Sequence, residues 1–327
     1  MNGLVLVTGA TGFIGSHLVT QLVERRLPVR VLARRPEALP PAVRGRVDVR
    51  SHDLRDREGW RRTLAEVETV LHLAACARAW TSDPREFVSA NLEAVGALLH
   101  AARERGLSRL VHVSTILTLP PAKPAPGERR LTPYEATKLA GERLVDAYAT
   151  EGRHAVVVHP ARVYGPGPLT DANVVTRVIA LYLAGRFRMR IADGDVRGSY
   201  AHVDDVAAGI RLAAERGQPG AHYLLGGENA SLREFLALVR ELTGVCRSVL
   251  TVPPWAAIAA ARAAEWWGRA WGGGGAPIIR DWIRVLLEDR PGDIAPARRD
   301  LGYDPRPLRA GLEETIAWLR DRGRVAA

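Results

Sequence analysis

"LVLVTGATGFIGSHL", residues 4–18, places an apolar run of strand character directly before a glycine-punctuated turn and an apolar helix. Gly9, Gly12 and Gly15 follow a GxxGxxG spacing, not the GxGxxG of the commonest dinucleotide turn. Glycine is required where the backbone turns tightly, approaches a pyrophosphate and packs helix against strand, and the helix N-terminus then favours negative charge. A glycine-rich turn alone is as readily structural as functional; its position between an N-terminal strand and a helix points to a nucleotide. Gly9, Thr11, Gly12, Phe13, Ile14 and Gly15 are therefore the first candidate cofactor contacts.

Beyond this turn, short apolar runs alternate with segments of helical period. They read as Leu4–Val7, a helix near 13–26, Val29–Ala33, a weaker helix near 58–65, Thr69–Leu73, a helix near 91–106, and Leu110–Val113. After these come the helix carrying Tyr134 to Thr150 and the run Ala155–Val158. Strands alternating with helices imply βαβ units, so the expected fold is α/β, a doubly wound parallel (Rossmann) sheet that binds ligands at the carboxyl ends of its strands.

The pattern loosens after "YGPGPL", with a helix near 173–184 and a Trp-rich region after Pro253-Pro254. Residues 1–165 read as the nucleotide-binding domain with a returning segment near 198–212, and residues 166–327 mainly as a smaller substrate-binding lobe. "WGGGGAP" reads as a flexible connection, and residues 119–133 as a Pro-rich loop beside the expected site.

Composition narrows the partners. The 327 residues are 47% apolar and 25% charged, ordinary for a folded globular chain. A net charge of +10 would suit nucleic acid if the arginines formed a patch. They are instead spread along the chain in pairs such as Arg25-Arg26, Arg61-Arg62, Arg129-Arg130 and Arg298-Arg299, without aromatic interleaving, so no nucleic-acid partner is expected. Cys76 and Cys246 are far apart and in no metal-ligand spacing; neither a disulfide framework nor a metal site is indicated, which suits a reducing cytoplasm. No export signal is visible. In "WAAIAAARAAEWWGRAW", residues 255–271, charges at Arg262, Glu265 and Arg269 interrupt the apolar run, so no transmembrane span is expected. That segment reads as an amphipathic or buried helix whose tryptophans line a pocket, fill a core or touch a membrane surface.

The second strand ends "VLARRP". An NAD site usually carries a carboxylate at this place for the ribose hydroxyls, whereas a 2′-phosphate needs positive charge. Arg34 supplies that charge in bidentate form, so NADP(H) is favoured over NAD(H). Asp53 and Leu54, after the third strand, are placed to meet the adenine edge, and Leu73, Ala74 and Ala75 give small residues where the chain must pass close to a cofactor.

"TGATGFIG", "HLAA", "VST", "YEATK", "HPARVYGPG" and "YAHVDDVA", in that order, resemble the extended short-chain dehydrogenase/reductase superfamily, also called the NAD-dependent epimerase/dehydratase family. The resemblance runs from residue 4 to about residue 320, and "VRVLARRP" and "GAHYLLGGENASLREF" are most similar to its dihydroflavonol-reductase and 3β-hydroxysteroid-dehydrogenase branch. It implies a catalytic set of Tyr134, Lys138 and Thr115, with Tyr134 as the acid or base for a carbonyl or alcohol oxygen. It also implies that Lys138 holds the nicotinamide ribose and that Pro160, Ala161 and Val163 pass beside the nicotinamide. Tyr134 and Lys138 lie one helical turn apart, close enough for an ammonium to lower the phenol's pKa. Among 46 basic residues only Lys123 and Lys138 are lysine, and a compact ammonium rather than a broad guanidinium suits that role. Asn91 reads either as a helix N-cap or as a site residue.

Three departures from family patterns shape the substrate expectation. Ile116-Leu117 stand where sugar-nucleotide dehydratases carry an Asp-Glu pair. Gly198 stands where the epimerases carry a phosphate-binding Arg. Arg34 suits net reduction. The expected activity is NADP(H)-dependent reduction of a ketone or aldehyde, or oxidation of the alcohol, on a sizeable and largely apolar molecule. The alternatives are a nucleotide-sugar epimerase or reductase, and a non-catalytic NADP-binding sensor. Many relatives pair the helices near 91–106 and 134–150 in a dimer, so monomer and homodimer both stay open.

Overall fold

The computed structural model describes residues 3–78, 81, 83–125, 131–192, 194–271 and 280–323; the side chains of 262, 264–271 and 280–282 lie outside the description. Arg129-Arg130, most of "WGGGGAP" and the side chains of Trp266, Trp267 and Trp271 fall among the residues left out.

In chain order the strands are β1 (Leu4–Thr8), β2 (Val29–Leu32), β3 (Asp48–Arg50), β4 (Val67–His72), β5 (Arg109–Val113), β6 (Ala155–Pro160), β7 (Arg162–Tyr164), β8 (Met189–Ile191), β9 (Arg197–His202), β10 (His222–Leu225), β11 (Glu228–Ser231) and β12 (Leu250–Val252). The helices are α1 (Phe13–Glu24), α2 (Arg57–Thr63), α3 (Arg85–Val88), α4 (Ala94–Arg105), α5 (Pro133–Thr150), α6 (Val174–Leu183), α7 (Val203–Arg216), α8 (Leu232–Thr243), α9 (Pro254–Trp271), α10 (Arg280–Leu287), α11 (Ala295–Leu301) and α12 (Leu308–Asp321).

Seven strands in the order β10-β6-β5-β4-β1-β2-β3 form one sheet, and every pairing in it is parallel. A parallel sheet covered on both faces requires strands that are apolar on both sides, and all six residues of β6 are buried. One face packs Val5, Val111 and Val156 against Leu18 and Leu22 of α1, Val206 and Ile210 of α7, and Leu301 of α11. The other packs Leu6, Val70 and Val157 against Trp60 of α2, Leu98 of α4 and Val145 of α5. Strand order reverses between β1 and β4, and such a switch point opens a crevice at the carboxyl ends of the strands.

A second core, built on Tyr164, Ile179, Tyr182, Tyr200, Phe235 and Leu312, joins α6, α8 and α12 to the small sheet β11-β9-β7. The chain then returns to the large sheet: α7 packs against α1, and β10 pairs with β6 as its outermost strand. The helix at the site is firmly started, since Thr132 and Glu135 form a reciprocal capping box with Pro133 in the first turn of α5.

Two expectations need correction. Asn91 caps no helix; it lies in a π-turn, Ser89–Glu93, that delays α4 until Ala94. Its amide accepts from Cys76 N–H at 2.8 Å and donates to Cys76 O at 3.2 Å and Thr137 Oγ1 at 3.1 Å, tying the loop after β4 to α5. Trp255 is 73% exposed and does not border the main cleft at the switch point. Among the described residues no helix is long and apolar enough to cross a membrane.

Thr8 fastens the switch point. Its hydroxyl accepts from Leu73 N–H at 3.1 Å and Ala74 N–H at 3.0 Å and pairs with His72 Nδ1 at 2.9 Å, all with Thr8 fully buried. Thr8→Val keeps the shape but leaves these partners without a hydroxyl. Chemical denaturation is expected to show a loss of about 1–3 kcal/mol.

Candidate active site

The first part of the site is a backbone cradle. Gly9 adopts φ +72°, and a Cβ there would come within 2.8 Å of Ala74 N and 2.9 Å of Leu73 C. Gly12 N–H closes the turn on Gly9 O at 2.9 Å. A Cβ on Gly15 would run into that same carbonyl oxygen, so only glycine lets α1 sit this close to the end of β1. Gly12 is the N-cap of α1, no side chain caps the helix and no acid stands in its first turn. The first-turn N–H groups and the positive end of the helix dipole are thereby left for an anionic ligand. This cradle fits the pyrophosphate of a dinucleotide.

The cradle opens into a cleft of about 1130 Å³. The catalytic and cofactor candidates from the sequence border it: Gly9, Thr11, Gly12, Phe13, Ile14 and Gly15; Arg34, Asp53 and Leu54; Leu73, Ala74 and Ala75; Thr115, Tyr134 and Lys138; Pro160, Ala161 and Val163; Asn91 does not. Arg35, His52 and Arg55 also border it, and the local sequence had no signal for them beyond charge. Arg55 grips Asp53, with Nε donating to Oδ1 at 3.0 Å and Nη2 to Oδ2 at 2.8 Å, and holds that carboxyl well below its ordinary range. Arg34 and Arg35 are exposed at the end of β2. Leu54 O accepts Trp60 Nε1–H at 2.7 Å, which anchors the loop after β3.

Tyr134 and Lys138 project from α5 toward the end of β5. Lys138 is 2% exposed and donates from Nζ to Val113 O at 2.7 Å. Burial pushes its ammonium down to about 8, and the Glu142 charge opposes that. The Tyr134 phenol is pushed up to about 12 by burial, against the hydrogen bond with Thr115. The sequence led us to expect a phenol lowered by the ammonium; the direction here is the reverse, because desolvation outweighs the other influences on the phenol. Tyr134 is consequently a held proton donor at neutral pH. Thr115, two residues beyond β5, caps the turn Ile116–Thr118 with its side-chain oxygen accepting Leu117 N–H at 3.3 Å, and lies near enough to the phenol to oppose the effect of burial.

The far end of the cleft is apolar, lined by Val175, Val178, Phe187, Ile191, Val196, Leu232, Phe235 and Val285. The aromatic lining thus comes from Phe187, Tyr200 and Phe235 rather than from Trp255. Ile116 and Leu117 also face the cleft. The expectation drawn from Gly198 is altered by its neighbour. A Cβ at 198 would collide with the guanidinium of Arg162, which fills that space from β7, donates to Tyr200 Oη at 3.0 Å and lies 5.4 Å from the ring centre. The cationic group missing from residue 198 is therefore present in the cleft, carried by residue 162.

Beneath the cleft, Glu135, Arg284, Glu288 and Arg290 form a buried ionic cluster. Arg284 reaches Glu135 at 2.9 Å, while Arg290 binds Glu288 and donates to the carbonyls of Ile116 at 3.1 Å and Leu119 at 2.6 Å. The residue after Tyr134 and the turn after Thr115 are thus held by one cluster.

A doubly wound sheet with a glycine cradle at its switch point and a Tyr-Lys pair beside it defines an oxidoreductase of the extended short-chain dehydrogenase/reductase type. Within that class, the chain belongs to the NAD dependent epimerase/dehydratase family, whose model matches residues 5–226. It is 32% identical to sterol demethylase protein B of Methylococcus capsulatus, over 98% of this chain and 99% of that one. It is 33% identical to the 4-hydroxy-2-methyl-3-oxo-4-farnesyl-3,4-dihydroquinoline-1-oxide ketoreductase of Stigmatella aurantiaca, over 92% and 91%. The fold matches the UDP-glucose 4-epimerase of Thermus thermophilus in complex with NAD at a TM-score of 0.72 and 28% identity, over 97% of this chain and 99% of that one.

The lowered Lys138 ammonium sets a pH dependence. Reduction that draws on a protonated Lys138 should be level below pH 8 and fall as pH rises through about 8, where that group loses its proton. Steady-state kcat/KM against pH measures this. Lys138→Arg keeps a charge but not the compact ammonium, and is expected to lose activity across the whole range.

Proposed function

We propose that this chain is an NADPH-dependent reductase of a ketone or aldehyde carried on a sizeable, largely apolar molecule. The carrying observation is the placement of Tyr134, a phenol held protonated by burial, in one cleft with the glycine cradle and the apolar chamber of Val178, Phe187, Leu232 and Phe235. A nicotinamide cofactor held by the glycine cradle would supply hydride to the carbonyl carbon. Thr115 and Tyr134 hydrogen-bond the carbonyl oxygen, and Tyr134 Oη passes its proton to that oxygen as the charge on it develops. Lys138, one helical turn after Tyr134, would hold the nicotinamide ribose. Run in reverse, the Tyr134 phenolate takes the proton of an alcohol.

Arg34 supports NADPH over NADH. It stands at the end of β2 with Arg35, while the nearby Asp53 carboxylate is already engaged by Arg55 and presents no competing free charge to a 2′-phosphate. The ketoreductase named above, similar over nearly the whole chain, supports carbonyl reduction. A second reading, nucleotide-sugar epimerisation, is favoured by Arg162, whose guanidinium could meet a diphosphate, and by the fold match to an epimerase.

A screen of bulky carbonyl compounds with both cofactors separates the two. A reductase consumes NADPH in step with product, whereas an epimerase turns over with no net change in nicotinamide absorbance. Tyr134→Phe is expected to lower kcat by about 10²-fold or more, and an unchanged rate would remove the acid role. Arg34→Ala should weaken NADPH binding by about 2 kcal/mol while leaving NADH nearly unaffected, as read by fluorescence titration. Equal losses would end the case for NADPH.

A further inference from the structure

The cleft has an apolar rim as well as an apolar end. Val174 at the start of α6, Met189 on β8 and Leu286 on α10 border the cleft, yet each is largely exposed. Side chains that do both stand where the cleft meets solvent. The rim continues outward from there. Leu250 on β12 is the register partner of Met189, so the two side chains project from the same face of the β8-β12 ribbon. Trp255 lies in the first turn of α9, shortly after β12, and α9 packs against α10.

These five side chains each leave 48% or more of their surface exposed. Among the described residues the other exposed large apolar side chains are only Val49, on β3, and Val88, on α3. Scattered singly, such residues need no explanation; gathered around one opening they mark a contact surface.

The charge around this rim is of one sign. Residues 172–192 contain Arg177, Arg186, Arg188 and Arg190 and no acid, and residues 242–261 contain Arg247 and no acid. Arg177 pairs with Asp171 at 3.2 Å. The other four make no ion pair among the described residues. Arg188 donates to Gly185 O at 3.1 Å, Arg190 to Thr251 Oγ1 at 3.3 Å and Arg247 to Leu183 O at 3.2 Å. Arg186, Arg188 and Arg247 are exposed. Elsewhere on the surface arginines meet acids, as Arg61 does Glu104, Arg103 does Glu151 and Arg309 does Glu241.

This combination selects among occupants. A second copy in a closed, isologous dimer would set the same patch against itself, bringing unpaired arginines face to face and sealing the opening. The headgroup region of an anionic bilayer meets both requirements, since acyl chains accept the apolar side chains and lipid phosphates the guanidinium groups. Tryptophan is suited to that depth, with an apolar ring and a polar N–H.

We propose that the mouth of the cleft, formed by Val174, Met189, Leu250, Trp255 and Leu286 and fringed by Arg186, Arg188 and Arg247, docks on an anionic lipid bilayer. An apolar substrate then passes from the acyl region into the chamber of Val178, Phe187, Leu232 and Phe235 without crossing water. The docking stands on the surface alone, whereas the transfer of substrate rests on the reductase reading.

Sedimentation of the full chain with vesicles tests the docking, without cofactor or substrate. One set of vesicles is phosphatidylcholine alone and the other an equal mixture of phosphatidylcholine and phosphatidylglycerol. We expect binding to the mixed vesicles that salt weakens, and binding at least about tenfold weaker to phosphatidylcholine alone. Trp255→Ser combined with Leu250→Ser, and separately Arg186→Ser combined with Arg188→Ser, should each lower binding to the mixed vesicles by about tenfold or more. None of these four residues borders the cleft. Both double variants should therefore melt with the wild type and keep its rate toward a water-soluble carbonyl, losing rate only toward a carbonyl dissolved in the mixed vesicles. Failure of the wild-type chain to bind the mixed vesicles, or binding that both double variants retain in full, would overturn the docking surface. A wild-type dimer that the Trp255→Ser and Leu250→Ser pair splits into monomers would give the face to a second copy and overturn it as well. Vesicle binding by a chain inert toward every carbonyl would uphold the docking surface and strike the reductase reading.

Discussion

The contact between the start of α1 and the end of β1 governs what the rest of the molecule can do. The helix comes so close to the turn that Gly15 has no space for a Cβ beside Gly9 O, and Gly9 itself lies against the backbone of Ala74. Thr8, one residue earlier, fixes the other side of this contact by binding the N–H groups of Leu73 and Ala74. β1, β4 and α1 therefore converge within a few ångströms of where a pyrophosphate would lie, and the crevice at the switch point takes its shape from backbone atoms. Backbone groups fixed in this way need little reorganisation when charge arrives.

From that fixed edge, α5 supplies the chemistry. Its capping box and proline set where the helix begins, and this start determines that Tyr134 reaches the cleft while Lys138 turns beneath it toward Val113 O. Burial then does two things at once: it keeps the phenol protonated and makes the ammonium easier to deprotonate. Both shifts move the pair further apart in proton affinity than an exposed tyrosine and lysine would be. In the protein alone the phenol is the stronger holder of its proton.

Much of this was legible in the sequence because it is local. A glycine turn between strand and helix, a Tyr and Lys four residues apart, and an arginine at a strand end each carry their meaning within a dozen residues. Five strands of the large sheet followed from apolar runs, with small shifts such as β4 starting at Val67, whereas β3 is too polar to show as such a run and β10 lies in the part of the chain read as the second lobe. What stayed hidden is set by contacts between distant strands. Nothing near Asn91 indicated that its amide would hold Cys76 and Thr137 together. His159 and His222 are 63 residues apart, and only the pairing of β6 with β10 stacks their rings. The direction of the Tyr134 shift was also out of reach, because it depends on burial rather than on the spacing to Lys138.

Arg162 and Gly198 give the same lesson a steric form. Because the guanidinium of one occupies the side-chain space of the other, the two positions behave as a single unit spread over β7 and β9. Any side chain larger than hydrogen at residue 198 evicts Arg162 from the Tyr200 ring. An arginine restored at 198 would then face a second, displaced arginine rather than simply add a charge. Remodelling this end of the cleft for another substrate is consequently a two-site problem, in which single substitutions pass through a crowded intermediate.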